Sequence, residues 1–360
     1  MTGSQIPHFG LARQYKNLKA ELLEATDLVL RSGELMNGSY TSAFETWLAM
    51  RTNTTFALTV HSGTQALEIM ALWIRQSYME TNDFQPVVRI PNITYIATLN
   101  AFMKAGFVIE LVDTDKNGLM RPEEENILSH FTKISCNVGL YGANPHLQTI
   151  TRNHYNDIVD GAQHWLVADN VGSGMAISFD PTKNLNASGN GGAIVTNEID
   201  LYNFAYSYRS NSKPDHDDVG TNSRLSELDC AHLSVRANYI DTWQWRRKEI
   251  RHYYLDELKN VDVRCLSRDH LVHADQKFVI YTDKRDQLNQ YLIDAGIETK
   301  IHYPKALSEL PISRTIYAKP NMLSTSVNLT RGLLSLPIYP ELTDSEVEFV
   351  AGKVKEFFTN

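Results

Sequence analysis

The chain has 360 residues, 42% of them hydrophobic, which is enough to bury a large core and, by length, to divide into about two domains. A balance of 34 Lys and Arg against 42 Asp and Glu leaves a net charge of -8, so no overall basic field favours nucleic acid, although a few local donors suffice for a small anion. The three cysteines, Cys136, Cys230 and Cys265, are too scattered for a disulfide framework or a spaced metal site and read as buried thiols in a reducing compartment.

The segment from Met1 to Phe9 carries Pro7 and His8 where a signal peptide needs a basic region and an apolar stretch. The apolar region from Ile90 to Val112 is interrupted by Asn92, Asn100, Lys104 and Glu110, so it cannot cross a bilayer as a helix. A cytoplasmic location with no membrane association is expected.

Leu11, Tyr15, Leu18, Leu22 and Ala25 recur at helical spacing, with Gly33 as a stop, and a second helix follows from about Thr41. Short apolar runs then alternate with helix-like segments. They are Phe56 to Val60, Val87 to Ile90, Val108 to Val112, Ile134 to Leu140, Ile158 to Val159, Met175 to Phe179 and Ala193 to Val195, the pattern of an α/β domain on a largely parallel sheet. Ser226 to Leu258 lacks Pro and Gly and reads as one or two long helices that could bridge two domains. Beyond it, Lys277 to Tyr281 reads as a strand, Lys284 to Ala295 as a helix ended by Gly296, Ile297 to His302 as another strand and Ser345 to Phe358 as a last helix. The expected organisation is a large α/β domain over residues 1–260 and a smaller α+β domain over 261–360.

The residues with the strongest chemistry lie between Asp157 and Asn197. Asp160 ends one short strand and Lys183 stands 23 residues later, just past another strand that ends at Phe179. In parallel α/β sheets ligands sit outside the carboxyl ends of strands, so both side chains can project into one crevice. Pyridoxal phosphate needs such a pair: a lysine amine to hold its aldehyde as a Schiff base, and a carboxylate to keep the ring nitrogen protonated. Taken alone, Asp160 reads as a loop cap and Lys183 as a solvated surface lysine. Ser62-Gly63-Thr64 follows a strand and opens a helix, which makes it an anion site, or simply an N-capped turn. Ser178, five residues before Lys183, offers the same phosphate another hydroxyl.

From the opening PHFGLARQYKNLKAELLEATDLVLRSGELMNGSYTSAFE, through SGTQALEIMALW, IPNITYIATLNAFMKAGFVIELVDTD, SFDPTKNLNASGNGGAIVTN, GTNSRLSELDCAHL and GIETKIHYP, to LSLPIYPELTDSEVEFV, the chain resembles the DegT/DnrJ/EryC1/StrS sugar aminotransferases. These are fold-type I pyridoxal-phosphate enzymes. The resemblance implies a mostly parallel seven-stranded sheet between helices, with a smaller C-terminal α+β domain. It implies that Lys183 is the Schiff-base lysine, that Asp160 pairs with the pyridine nitrogen and that Gln163 approaches the ring hydroxyl. Gly63, Thr64 and Ser178 would contact the phosphate, and Tyr95 would stack on the ring. Asn222 would reach the phosphate of a neighbouring subunit, giving a homodimer with shared sites. His302 and Tyr303 would lie near the sugar, or else form only a strand-end turn before Pro304.

Three positions depart from the family's usual pattern: Gly139 and the segment KALSELP stand where histidines are usual, and Gly161 stands in place of an alanine. They bear on substrate placement more than on the cofactor. The implied reaction is a ping-pong transfer of an amino group from L-glutamate to a keto group of a nucleotide-linked deoxysugar, with the 3-keto position favoured over the 4-keto, and with no metal. Alternatives on the same scaffold are a dehydratase, against which Lys183 argues because that branch carries histidine there, an enzyme for a non-sugar keto substrate, and a catalytically silent binding module.

Overall fold

Short strands buried along their whole length, at Val87–Pro91, Ile158–Asp160 and Gly192–Thr196, set the architecture. A computed structural model of the protein describes residues 5–79, 85–121, 133–145, 157–266, 272–315 and 322–359. In chain order the elements are α1 (Leu11–Ser32), α2 (Ser39–Thr52), β1 (Phe56–Val60), α3 (Gly63–Met79), β2 (Val87–Pro91), α4 (Ile96–Lys104), β3 (Val108–Val112), β4 (Lys133–Val138), β5 (Ile158–Asp160), β6 (Gly174–Ser178), β7 (Gly192–Thr196), α5 (Ile199–Tyr208), α6 (Glu227–Ala237), α7 (Ile240–Glu257), β8 (Arg264–Cys265), β9 (Phe278–Tyr281), α8 (Arg285–Asp294), α9 (Ser324–Gly332), β10 (Leu333–Leu336) and α10 (Asp344–Thr359).

Seven strands form one sheet in the order β1-β7-β6-β5-β4-β2-β3. The pairs from β6 through β5, β4 and β2 to β3 are parallel, while β7 runs antiparallel to both of its neighbours. Successive residues point to opposite faces. Leu58, Ile158, Ala176 and Ile194 enter a core with α3, α4 and α5, whereas Ala57, Val159, Met175, Ile177 and Val195 enter a second core with α1, α2, α6 and the start of α7. Both faces are therefore covered, as a parallel sheet requires.

A second sheet, in the order β10-β9-β8, is antiparallel. It shares a core with α8, α10 and the second half of α7, through Ile250 and Tyr254 and through Leu258 just past the helix. Ile240 and Trp243, near the start of the same helix, belong to the core of the large sheet, so α7 is anchored in both. The segment Ile297 to His302, expected as a strand, makes only isolated bridges at Ile297 to Ile6 and at Lys300 to Ser335. Its pairing is shared between the N-terminal segment and β10, so no continuous ladder forms.

The turn into α2 is held by a side chain distant in sequence. Buried Glu227, at the start of α6, accepts hydrogen bonds from the backbone N–H groups of Gly38 (2.9 Å), Tyr40 (2.5 Å) and Thr41 (3.1 Å) and from the Thr41 hydroxyl (2.5 Å). A carboxylate there satisfies N-terminal donors of α2 that no residue of its own cap serves.

Candidate active site

The carboxyl ends of β1, β2, β5 and β6 open on the same edge of the large sheet, because β7 is the strand that runs the other way. A cavity of about 320 Å³ lies there, and Gly63, Thr64, Tyr95, Asp160, Gln163, Ser178, Lys183, His302 and Tyr303 all line it. Asp160 is the last residue of β5 and Ser178 the last of β6. Lys183 follows on a turn in which its N–H donates to the Asp180 carbonyl at 2.9 Å.

The Asp160 carboxylate is buried and accepts two hydrogen bonds, from the Thr98 hydroxyl to Oδ2 (2.8 Å) and from the Ala162 N–H to Oδ1 (3.1 Å). Thr98 is itself hydrogen-bonded at 3.0 Å to Thr94, which lies just before α4. Burial raises the Asp160 pKa, and the two hydrogen bonds and the Lys183 ammonium oppose that rise without cancelling it. Burial likewise lowers the pKa of Lys183, against the pull of Asp160 and Asp180. A carboxylate in this condition gains from a cationic N–H partner, and an amine in this condition is the easier to deprotonate for attack.

At the other end of the cavity, α3 starts at Gly63 with no acidic residue in its first turn, so its N-terminal dipole is free to receive an anion. Ser62 Oγ caps it by accepting from the Gln65 N–H at 3.1 Å. Position 63 must be small: a Cβ there would lie 2.7 Å from Ser178 Cβ, so the absence of one lets the helix start and the Ser178 hydroxyl form a single polar wall. Gln163 accepts from the Tyr141 N–H at 2.8 Å and its amide nitrogen lies 3.4 Å from the Tyr303 hydroxyl, which fixes the amide's orientation. Tyr95 stands at the N-terminus of α4, 57% exposed, with its ring centroid 6.2 Å from that of Tyr303.

His302 is tied by Nδ1 to Ser335 Oγ at 2.9 Å, and its pKa is lowered to about 2 by burial, with further lowering from Lys277, His8 and Lys183. Asn222 is the one expected site residue outside the cavity. It bridges Ser210, with its Oδ1 3.5 Å from Arg224.

The three departures have structural correlates. A Cβ on Gly139 would lie 1.8 Å from Nδ1 of His164, so the imidazole next to Gln163 fills the volume that a side chain at 139 would need. His164 is wholly buried, hydrogen-bonds through neither ring nitrogen among the described residues, and has its pKa lowered to about 4 by burial. At position 161 a Cβ would lie 2.5 Å from Met175 Cγ. The segment 305–311 is held on Asn92, just past β2: the Leu307 N–H donates to the Asn92 carbonyl (2.8 Å), the Ser308 N–H donates to Asn92 Oδ1 (2.9 Å) and Asn92 Nδ2 donates to Ser308 Oγ (3.0 Å).

Several lining residues were not singled out by sequence: Thr94, Asp180, Thr182, Asn190 and Lys277. Thr94 and Thr98 have a signal in retrospect, two hydroxyls one helical turn apart at a helix start. Lys277 reads in sequence only as the charged residue that opens an apolar strand. All three cysteines are buried and free, and among the described residues no helix is long and apolar enough to cross a membrane.

Comparison with known proteins shows the family of the chain. The model of the DegT/DnrJ/EryC1/StrS aminotransferase family matches residues 16–355. The chain is 32% identical to the erythromycin biosynthesis sensory transduction protein EryC1 of Saccharopolyspora erythraea, over 97% of this chain and 99% of that one. It is also 32% identical to the dTDP-3-amino-3,6-dideoxy-alpha-D-galactopyranose transaminase of Aneurinibacillus thermoaerophilus, over 98% and 99%. The crystal structure of Streptomyces venezuelae DesV in complex with a ketimine intermediate superposes with a TM-score of 0.90 at 28% identity, over 99% of each chain.

Proposed function

The chain belongs to the DegT/DnrJ/EryC1/StrS aminotransferase family, and from that membership we propose that it moves an amino group from L-glutamate to the 3-keto carbon of a nucleotide-linked deoxysugar, in two half-reactions at one site. It is a pyridoxal-phosphate-dependent sugar aminotransferase with the mostly parallel α/β fold of that group. The observation that supports the reading best is the convergence of Lys183, Asp160 and the N-terminus of α3 on one cavity.

The lining residues fit the cofactor. A buried carboxylate short of a cationic partner suits a protonated pyridine nitrogen, and a helix N-terminus with two hydroxyls and no side chain at 63 suits a phosphate. Pyridoxal phosphate, when bound, supplies the electron sink for the substrate carbon that loses a proton. Lys183 would hold the cofactor, and its Nζ, once released, would take and return that proton; its lowered pKa serves the base half of the task. Asp160 would keep the ring nitrogen protonated, with Thr98 and the Ala162 N–H aiming the carboxylate. Gln163 would approach the ring hydroxyl, Tyr95 would cover one ring face, and Gly63, Thr64 and Ser178 would bind the phosphate. His302 and Tyr303 would face the sugar. The 3-keto preference is supported by the 3-amino product in the name of the Aneurinibacillus relative.

We also propose a two-fold homodimer with shared sites. Asn222 lies outside the cavity of its own chain, and the exposed apolar side chains Leu30, Leu35 and Met36 flank the turn joining α1 and α2, where a second copy would cover them.

The test is to incubate the holoenzyme with L-glutamate and dTDP-, UDP- and GDP-linked 3-keto and 4-keto sugars and to identify the products. A 3-amino sugar is expected. Amination of 4-keto sugars alone overturns the regiochemistry, and no aminated product from any member overturns the substrate class.

A further inference from the structure

Lys277 is a second amine in the cavity wall, and the cofactor roles above leave it without a task. It immediately precedes β9, and its backbone N–H is anchored on the Tyr141 carbonyl at 3.0 Å. Its side chain is 5% exposed. Nζ lies 5.5 Å from the centroid of the Phe9 ring, and among the described residues it forms no ion pair or side-chain hydrogen bond. The charges that act on it most are Lys183 and Arg247, both repulsive, and Asp180 is the one attractive carboxylate. His8 and His302 stand beside it with ring centroids 5.9 Å apart, and His8 Nδ1 is buried without a hydrogen-bond partner.

Burying an ammonium with no counter-ion costs several kcal/mol, and proteins meet that cost by pairing or by deprotonation. An anionic ligand supplies the missing pair. The cofactor phosphate is not the natural candidate, because the helix N-terminus and Ser178 already receive it, whereas Lys277 sits by Tyr141 and His302. With Lys277 only 5% exposed, a carboxylate on a short chain reaches it more readily than a nucleoside diphosphate does. We propose that Lys277 is the anchor for a carboxylate of the amino donor, making it a specificity-determining residue for the first half-reaction. This rests on the aminotransferase reading of the site. Burial together with Lys183 and Arg247 lowers the pKa of this amine, and a bound carboxylate would oppose that fall.

The test is the binding of glutarate, a dicarboxylate with no amino group to react, to holoenzyme carrying Lys277→Met, Lys277→Gln or Lys277→Arg, measured by calorimetry and by titration of the cofactor's absorption. Retention of the cofactor absorption certifies the fold of each variant. Kd is expected to rise about tenfold or more in the Met and Gln variants, the loss expected of a charge-assisted hydrogen bond, and to stay within about threefold in the Arg variant. The rate of the L-glutamate half-reaction at low donor concentration should fall by the same factor. An equal fall with L-alanine assigns the α-carboxylate, and a fall with L-glutamate alone assigns the side-chain carboxylate; either supports the proposal. Glutarate affinity within about twofold of wild type in the Met and Gln variants, or no glutarate binding by the wild type, overturns it. Failure of the wild type to transaminate with any amino acid would instead count against the reading of the site, and glutarate binding would still judge Lys277.

Discussion

The Thr98 hydroxyl donates to Asp160 Oδ2 at 2.8 Å, from the first turn of α4 to the last residue of β5. Because burial is the largest influence on Asp160 and raises its pKa, this hydrogen bond is one of the few that keep the carboxylate ionised. Thr98→Val should therefore raise that pKa further. The ionised form, lost as pH falls, would be lost at a higher pH, so the acid limb of the kcat/KM profile should move up and cofactor affinity should weaken by about tenfold. An unmoved acid limb with wild-type affinity would show that the hydrogen bond does not tune the site.

Asp160→Asn separates function from stability. A carboxyl group whose folded pKa is raised above the unfolded value binds its proton more tightly when folded, so the apo-protein loses stability as pH rises through the folded pKa. Above that pH the Asn variant, stripped of cofactor, should be at least as stable as wild type toward urea. Its turnover should fall by about a hundredfold or more, because a neutral amide cannot hold the ring nitrogen protonated. Lower stability of the apo variant at pH 8 would contradict this.

Gly139 and His164 form a reciprocal pair. Gly139→Ala drives a Cβ to 1.8 Å from His164 Nδ1 and is expected to cost about 3 kcal/mol of unfolding free energy. His164→Ala should cost about 2 kcal/mol as a cavity. The double variant should be more stable than the sum of the two losses by about 1 to 3 kcal/mol, a coupling that urea denaturation can measure. Additive losses would mean that the imidazole has another resting place.

Glu227→Ala removes the acceptor of four donors at the start of α2 and should destabilise the protein by about 3 to 5 kcal/mol, read as a fall in the urea midpoint. Glu227→Gln, which keeps one acceptor oxygen, should lose less. Equal losses would point to packing and not to the hydrogen bonds.

Much of this was legible in advance, and the gaps have physical causes. The strands of the large sheet were readable because they are short apolar runs, with β2, β5 and β7 buried on both faces, and β1 and β3 match their expected bounds. The reversed direction of β7 is a property of pairing, which no local pattern carries. Helix α9, with the sequence STSVNLTRG, is rich in Ser and Thr where a helix pattern needs apolar residues, and two of these hydroxyls, Ser326 and Thr330, are satisfied by the main-chain carbonyls of Leu323 and Val327. Lys183 and Asp160 were legible as a pair because each ends or follows a strand. Thr98 and Lys277 acquire meaning only from tertiary neighbours, an aspartate 62 positions away and an N-terminal segment.

Lys183 and Asp160 are proposed to act on one bound pyridoxal phosphate. The most direct measurement is the absorption spectrum of the purified holoenzyme, and of Lys183→Ala, before and after L-glutamate. The wild type should show the visible band of a covalently held cofactor and lose it on addition of the donor, while the variant should lack that band and fail to turn over. A Lys183→Ala protein that keeps the band and transaminates at the wild-type rate would contradict that role for Lys183.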